Sequence, residues 1–107
     1  MSKKIIEENK CKVIDKIDGI KLADYISIHL PLNNETKNFI GEKELSLMKE
    51  TAIIVNTARG GIINEESLVK ALVNKNILGA GLDVFEKEPP VKDHPLFSLD
   101  NIILSPH

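Results

Sequence analysis

A chain of 107 residues, 42% hydrophobic and 28% charged, has the make-up of one small globular domain. A formal net charge of -2 and a pI near 5.9 exclude the basic footprint of a nucleic-acid binder, and a lone cysteine, Cys11, excludes both a disulfide framework and a cysteine-cluster metal site. No apolar run nears the ~18 residues that span a bilayer. The first ten residues lack a signal-peptide core, and 4% aromatics without tryptophan speak against stacking platforms. The expected setting is soluble and cytoplasmic.

No repeat, linker or low-complexity tract interrupts the chain. Ser2 to Asn9 suits a short polar helix, and Lys12 to Ile14 a very short strand. Asp18 to Ala23 reads as a brief helical turn flanked by Gly19. Tyr25 to Leu30, YISIHL, is the first well-marked strand, rich in β-branched and aromatic residues and stopped by Pro31. Pro31 to Asn38 is a polar loop or single helical turn. Glu42 to Lys49 follows as a helix, with Leu45 and Met48 three apart and acids in its first turn.

Ala52 to Asn56 reads as a buried strand, ending in small polar residues, Arg59 and the pair Gly60-Gly61. Asn64 is placed to cap the next helix, with Glu65 and Glu66 in the first turn and Leu68, Ala71 and Leu72 as its apolar stripe. Asn74 to Asn76 ends it. Leu78 to Val84 is a strand whose Gly79 and Gly81 suggest close approach to the backbone. A loop from Phe85 to Pro95 and a last short strand, Asn101 to Leu104, complete the order. Alternating strands and helices predict an open, parallel α/β sheet, and the nearly continuous apolar strands predict cover on both faces.

In such sheets ligands sit beyond the carboxyl ends of the strands. These ends carry His29 and Pro31, then Asn56, Thr57 and Arg59, then Asp83 with Glu88 shortly after, and finally His107. Parallel strands bring an arginine, carboxylates and a histidine to one edge. Taken singly, Glu88 reads as a solvated loop residue, His94 as a surface or loop-packing histidine, His29 as a packing residue near a ligand and His107 as a frayed terminus.

The segments ADYISIHLPL at 23–32, NTARGGIINEESL at 56–68, GAGLDVFEKEPP at 79–90 and DHPLFSLDNIILSPH at 93–107 resemble the D-isomer-specific 2-hydroxyacid dehydrogenases, most of all the phosphoglycerate dehydrogenase branch. The resemblance covers residues 23–107, expected to be the second half of a NAD-binding Rossmann domain, while residues 1–22 match loosely. It implies that Arg59 binds the substrate carboxylate, that His107 moves the hydroxyl proton, and that Glu88 orients the imidazole and raises its basicity. It also implies a NAD surface drawn from His29 and Pro31 near the adenosine, Thr57, Ala58 and Arg59, Asp83 near the carboxamide, and His107. A small 2-hydroxy or 2-keto acid is the implied substrate of the parent enzyme; no metal is implied.

One departure is large. No G-x-G-x-x-G turn occurs among the six glycines, and the ribose-binding acid that follows such a turn is absent too. The expected fold is therefore a partial Rossmann-type parallel sheet with flanking helices, lacking the first βαβ unit. From a family strand order of 3-2-1-4-5-6-7, it would keep strand 3 (Lys12 to Ile14) and strands 4 to 7. Strand 4 would become a long, exposed apolar edge, inviting self-association through residues 25–30 or pairing with a complementary fragment. The expected function is that of a fragment of a NAD-dependent oxidoreductase, inactive or nearly so alone. The alternatives are a corepressor-like binding member of the same superfamily and a purely structural remnant.

Overall fold

The computed structural model describes residues 14–86 and 93–105. Its elements run α1 (Lys16–Leu22), β1 (Tyr25–Ile28), α2 (Glu42–Leu47), β2 (Ile53–Asn56), α3 (Glu65–Val73), β3 (Gly79–Leu82), a 3₁₀ turn (Pro95–Ser98) and β4 (Ile102–Leu104). The four strands form one parallel sheet in the order β1-β2-β3-β4, with Ile28, Asn56, Leu82 and Leu104 in register across it. The parallel α/β architecture is as expected. The polar-helix reading of Ser2 to Asn9 lies outside the described residues, as do Lys12 and Val13. Ile14 joins no strand and is half exposed.

Side chains alternate along each strand, so every second residue faces the helices. Ile28, Ile54, Ala80 and Leu82 point into a core closed by Leu45, Leu68, Ala71, Leu72 and Leu96. Burying each leucine contributes roughly 2 kcal/mol before entropy is counted. On the opposite face lie Tyr25, Ser27, Ile53, Val55 and Ile103. Tyr25 and Ile103 are 77% and 76% exposed, and no described element covers this face. The expectation of cover on both faces is thus corrected among the described residues. The strands are apolar on both sides, but α1, α2, α3 and the 3₁₀ turn all pack on one.

Local chemistry sets the boundaries. α1 starts earlier than the glycine suggests, because the Asp15 carboxylate accepts the N–H groups of Ile17 and Asp18; Gly19 sits inside the helix. β1 stops at Ile28, short of the expected Leu30, so the sheet edge is a short one. Past it, Asn33 Oδ1 accepts from the amides of Glu35 and Thr36, and Thr36 Oγ1 donates to Pro31 O, fixing a compact turn. α3 is capped by Asn64, whose side chain accepts from Ser67 N, as expected.

Glu44 fastens the start of α2. Its Oε1 accepts from Gly41 N at 2.8 Å, and its Oε2 lies 3.4 Å from Lys16 Nζ, which itself stands 3.9 Å from the centre of the Phe39 ring. Burial alone raises the Glu44 carboxyl pKa. The Gly41 amide, Glu44's own amide and the Lys16 charge together outweigh it, and the pKa falls below the ordinary value. A lowered folded-state pKa adds stability above the unfolded value and loses it as pH falls through the folded value. E44Q is therefore expected to lower stability by about 1 kcal/mol near neutral pH, with the difference from wild type vanishing in acid below the ordinary carboxylate range. Urea unfolding of both proteins across pH checks this; a constant difference would contradict it.

Candidate functional site

The carboxyl ends of the strands share one edge. At β1, His29 is exposed rather than packed, its Nε2 lying 2.7 Å from Ser27 Oγ; Pro31, also exposed, opens the Asn33 turn. At β2 the chain turns sharply, and the turn is organised by Asn56, 1% exposed. Its Oδ1 accepts from Ala58 N at 3.0 Å and its Nδ2 donates to Arg59 O at 2.8 Å. One buried amide therefore satisfies both ends of the turn that carries Arg59. The arginine side chain is exposed, with Nη1 donating to Ala58 O at 3.0 Å, and forms no ion pair among the described residues.

Gly60 is where β2's exit meets β3's. A Cβ there would stand 1.7 Å from Phe85 O and 2.6 Å from Glu86 N, so only glycine lets the two segments cross. Gly61 has φ +94°, a left-handed conformation that likewise favours glycine. Of the two strand glycines, Gly79 meets the expected close approach, from Asn101 O at 3.0 Å. Gly81 does not: a side chain there would make only ordinary contact with Val55. The segments after β1 and β2 are also stitched together, Asn38 N donating to Gly61 O and Ile40 N to Ile62 O.

At β3, Asp83 N donates to Asn56 O at 3.1 Å, and Asp83 Oδ1 accepts from Ser105 Oγ at 2.7 Å. Asp83 is thereby tied to the exits of β2 and β4. Beside this edge a polar crevice of about 570 Å³ opens between Leu32, Asn33, Lys37, Gly60, Gly61 and Glu86. Farther back, the Glu65 carboxylate joins His94 and the Glu86 amide.

Of the expected site residues, Thr57, Ala58, Arg59 and Asp83 stand at adjoining strand ends, and His29 and Pro31 follow the next strand over. Glu88 and His107 lie outside the described residues. His94 is a packed loop histidine, its side chain 15% exposed, in agreement with the sequence reading. Sequence reasoning missed Asn56 as the organiser of the arginine turn, Ser105 as the partner of Asp83, and Glu65 with Glu86. Asn56 was visible as the strand's last residue; Glu65 looked only like a first-turn acid.

The donor set suits the nicotinamide side of a dinucleotide: short polar groups and an exposed arginine along one parallel edge. For a pyrophosphate the fit fails, since no glycine-rich turn occurs in these 107 residues.

Residues 1–107 match the family model described as "D-isomer specific 2-hydroxyacid dehydrogenase, NAD binding domain". The chain is 48% identical over 106 residues to D-3-phosphoglycerate dehydrogenase of Methanocaldococcus jannaschii, covering 98% of this chain and 20% of that protein. It is 53% identical over 90 residues to glyoxylate reductase of Aeropyrum pernix, covering 84% of this chain and 27% of the relative. The NAD-complexed D-isomer specific 2-hydroxyacid dehydrogenase of Lactobacillus delbrueckii ssp. bulgaricus superposes with a TM-score of 0.89 at 32% identity, over 100% of this chain and 36% of that one. The chain thus spans only about a fifth to a third of the proteins it matches.

The crossing at Gly60 yields a direct test. G60A is expected to cost about 3 kcal/mol by forcing the Phe85–Glu86 peptide away. Denaturant unfolding checks this; a stability within 0.5 kcal/mol of wild type, roughly the range of neutral surface changes, would contradict the described crossing.

Proposed function

Because this chain belongs to the D-isomer specific 2-hydroxyacid dehydrogenase family, within its NAD-binding domain, we propose that it supplies the substrate-carboxylate and nicotinamide side of a NAD-dependent oxidation of a D-2-hydroxy acid. The observation that carries the reading is Arg59, exposed at the end of β2 on a turn held by buried Asn56, one strand from Asp83.

Arg59 offers a planar fork to the carboxylate of a 2-hydroxy or 2-keto acid. His107 takes the hydroxyl proton as the alcohol is oxidised and returns it in reduction, and Glu88 orients the imidazole and favours its charged form. The bound nicotinamide supplies the hydride acceptor. Thr57, Ala58, Arg59, Asp83 and His107 would hold its nicotinamide side, and His29 and Pro31 its adenosine side. The two curated relatives carry different names, a phosphoglycerate dehydrogenase and a glyoxylate reductase, at similar identity. We therefore assign the substrate class as a small 2-hydroxy or 2-keto acid and go no finer.

The chain alone is assigned little or no turnover, as a fragment of the dehydrogenase unit, because it has no glycine-rich turn to hold the pyrophosphate. Self-association is proposed through β1, an edge of the described sheet whose Tyr25 is 77% exposed; a complementary fragment would occupy the same edge.

The protein incubated with NAD and D-glycerate is expected to reduce no NAD above background, while glyoxylate shifts the Arg59 Nε–H resonance with a Kd of about 1–10 mM (some 3–4 kcal/mol). R59K is expected to weaken that binding about tenfold, since lysine lacks the bidentate fork. An Arg59 signal indifferent to glyoxylate would overturn the carboxylate assignment, and robust turnover would overturn the inactivity. Sedimentation across a concentration series is expected to show association that S27P suppresses, since in the parallel ladder the Ser27 N–H faces away from β2 towards the open edge; a strictly monomeric profile would contradict the edge assignment.

A further inference from the structure

β3 and β4 leave the sheet side by side. Leu82 and Leu104 are paired in register, so the next residues on the two strands, Asp83 and Ser105, are neighbours at the carboxyl edge. Three hydrogen bonds hold this pair. Ser105 N donates to Leu82 O at 3.0 Å, which fixes the serine backbone against β3. Asp83 N donates to Asn56 O at 3.1 Å, which fixes the aspartate backbone against β2. Ser105 Oγ then donates to Asp83 Oδ1 at 2.7 Å, although the two residues lie 22 apart in sequence. A hydroxyl bonded to an ionised carboxylate makes a short, strong bond, and this one has that length. With both backbones held, it ties the direction of the Asp83 carboxylate to the end of β4.

The proton count at this pair decides what it can bind. A serine hydroxyl has one proton and an ionised carboxylate has none. That proton lies in the Ser105–Asp83 bond, so neither side chain offers a donor to a ligand. We propose that Ser105 is a positioning residue of the nicotinamide side: its hydroxyl turns the Asp83 carboxylate into an acceptor-only contact for the N–H groups of a carboxamide. A carboxylate in the carboxamide's place brings no N–H and meets a like charge, so the pair rejects it. This role rests on Asp83 facing the nicotinamide, as in the dehydrogenase reading. Ser105 itself acts through Asp83 and touches no reacting atom.

Nicotinamide mononucleotide and nicotinic acid mononucleotide differ in that one group, and their binding is read without turnover. Each is titrated into the ¹⁵N-labelled protein while the Thr57 and Asp83 amide shifts are followed. The amide form is expected to bind about tenfold more tightly than the acid, as a bond to a charged acceptor is gained in one and lost in the other. S105A is expected to cut that preference to about threefold or less, and to change the Asp83 Hα–Hβ couplings from a single-rotamer pattern to an averaged one. S105T, which keeps the hydroxyl, is expected to retain both the preference and the single rotamer. Exchange of the Ile54 and Leu68 amides, unchanged throughout, shows that each variant is folded. Asp83 couplings that ignore S105A, or an amide preference that survives it, would overturn the positioning role and leave the dehydrogenase reading standing. A wild type that binds both mononucleotides alike, or neither, while its Asp83 couplings do respond to S105A, would overturn the nicotinamide assignment of Asp83 and leave the Ser105 bond a feature of the fold alone.

Discussion

The exits of β2 and β3 depend on one contact, the passage of the Phe85–Glu86 peptide across Gly60. A side chain at that position would overlap the Phe85 carbonyl, so the two strand ends can be neighbours only through glycine. From that crossing the rest of the edge follows. Asn56 turns the chain back on one side and presents Arg59; Asp83, bonded through its amide to Asn56 O, stands on the other. Glu86 continues from the crossing into the α3 N-terminus, where Glu65 receives it. The chemistry of the site is therefore set by backbone proximity first and by charge second.

The parallel sheet supplies the directionality. Its four strands are in register at Ile28, Asn56, Leu82 and Leu104, so polar residues just past those positions gather at one edge. The helices pack on a single face, and the other face presents Tyr25, Val55 and Ile103. An apolar strand pattern says that both faces are oily; it does not say that this stretch of chain covers both. The match to only a fifth to a third of the related proteins agrees with a sheet whose second face has no cover among the described residues.

Much of the fold was legible because it rests on local signals: the β-branched runs at Tyr25 and Ile53, the Asn64 cap, and the stripe of Leu68, Ala71 and Leu72. Arg59 and Asp83 were legible as strand-end residues once parallel order was inferred. Boundaries that depend on one side chain were not. The Asp15 cap moved α1 forward, and β1 ended before His29. The Glu65 tie was illegible for a plainer reason. Its partners lie 21 and 29 residues away, and an acid in a first helical turn already has an adequate local explanation in the helix dipole.

The central claim is that the strand-end edge is the dinucleotide side of a dehydrogenase. Chemical-shift mapping of the ¹⁵N-labelled chain with NAD at high concentration tests it most directly. The account predicts shifts confined to His29, Thr57, Ala58, Arg59, Asp83 and their immediate neighbours, with the opposite strand ends at Tyr25, Ile53 and Gly79 silent. Perturbations centred on those opposite ends, or none anywhere at saturating NAD, would contradict it.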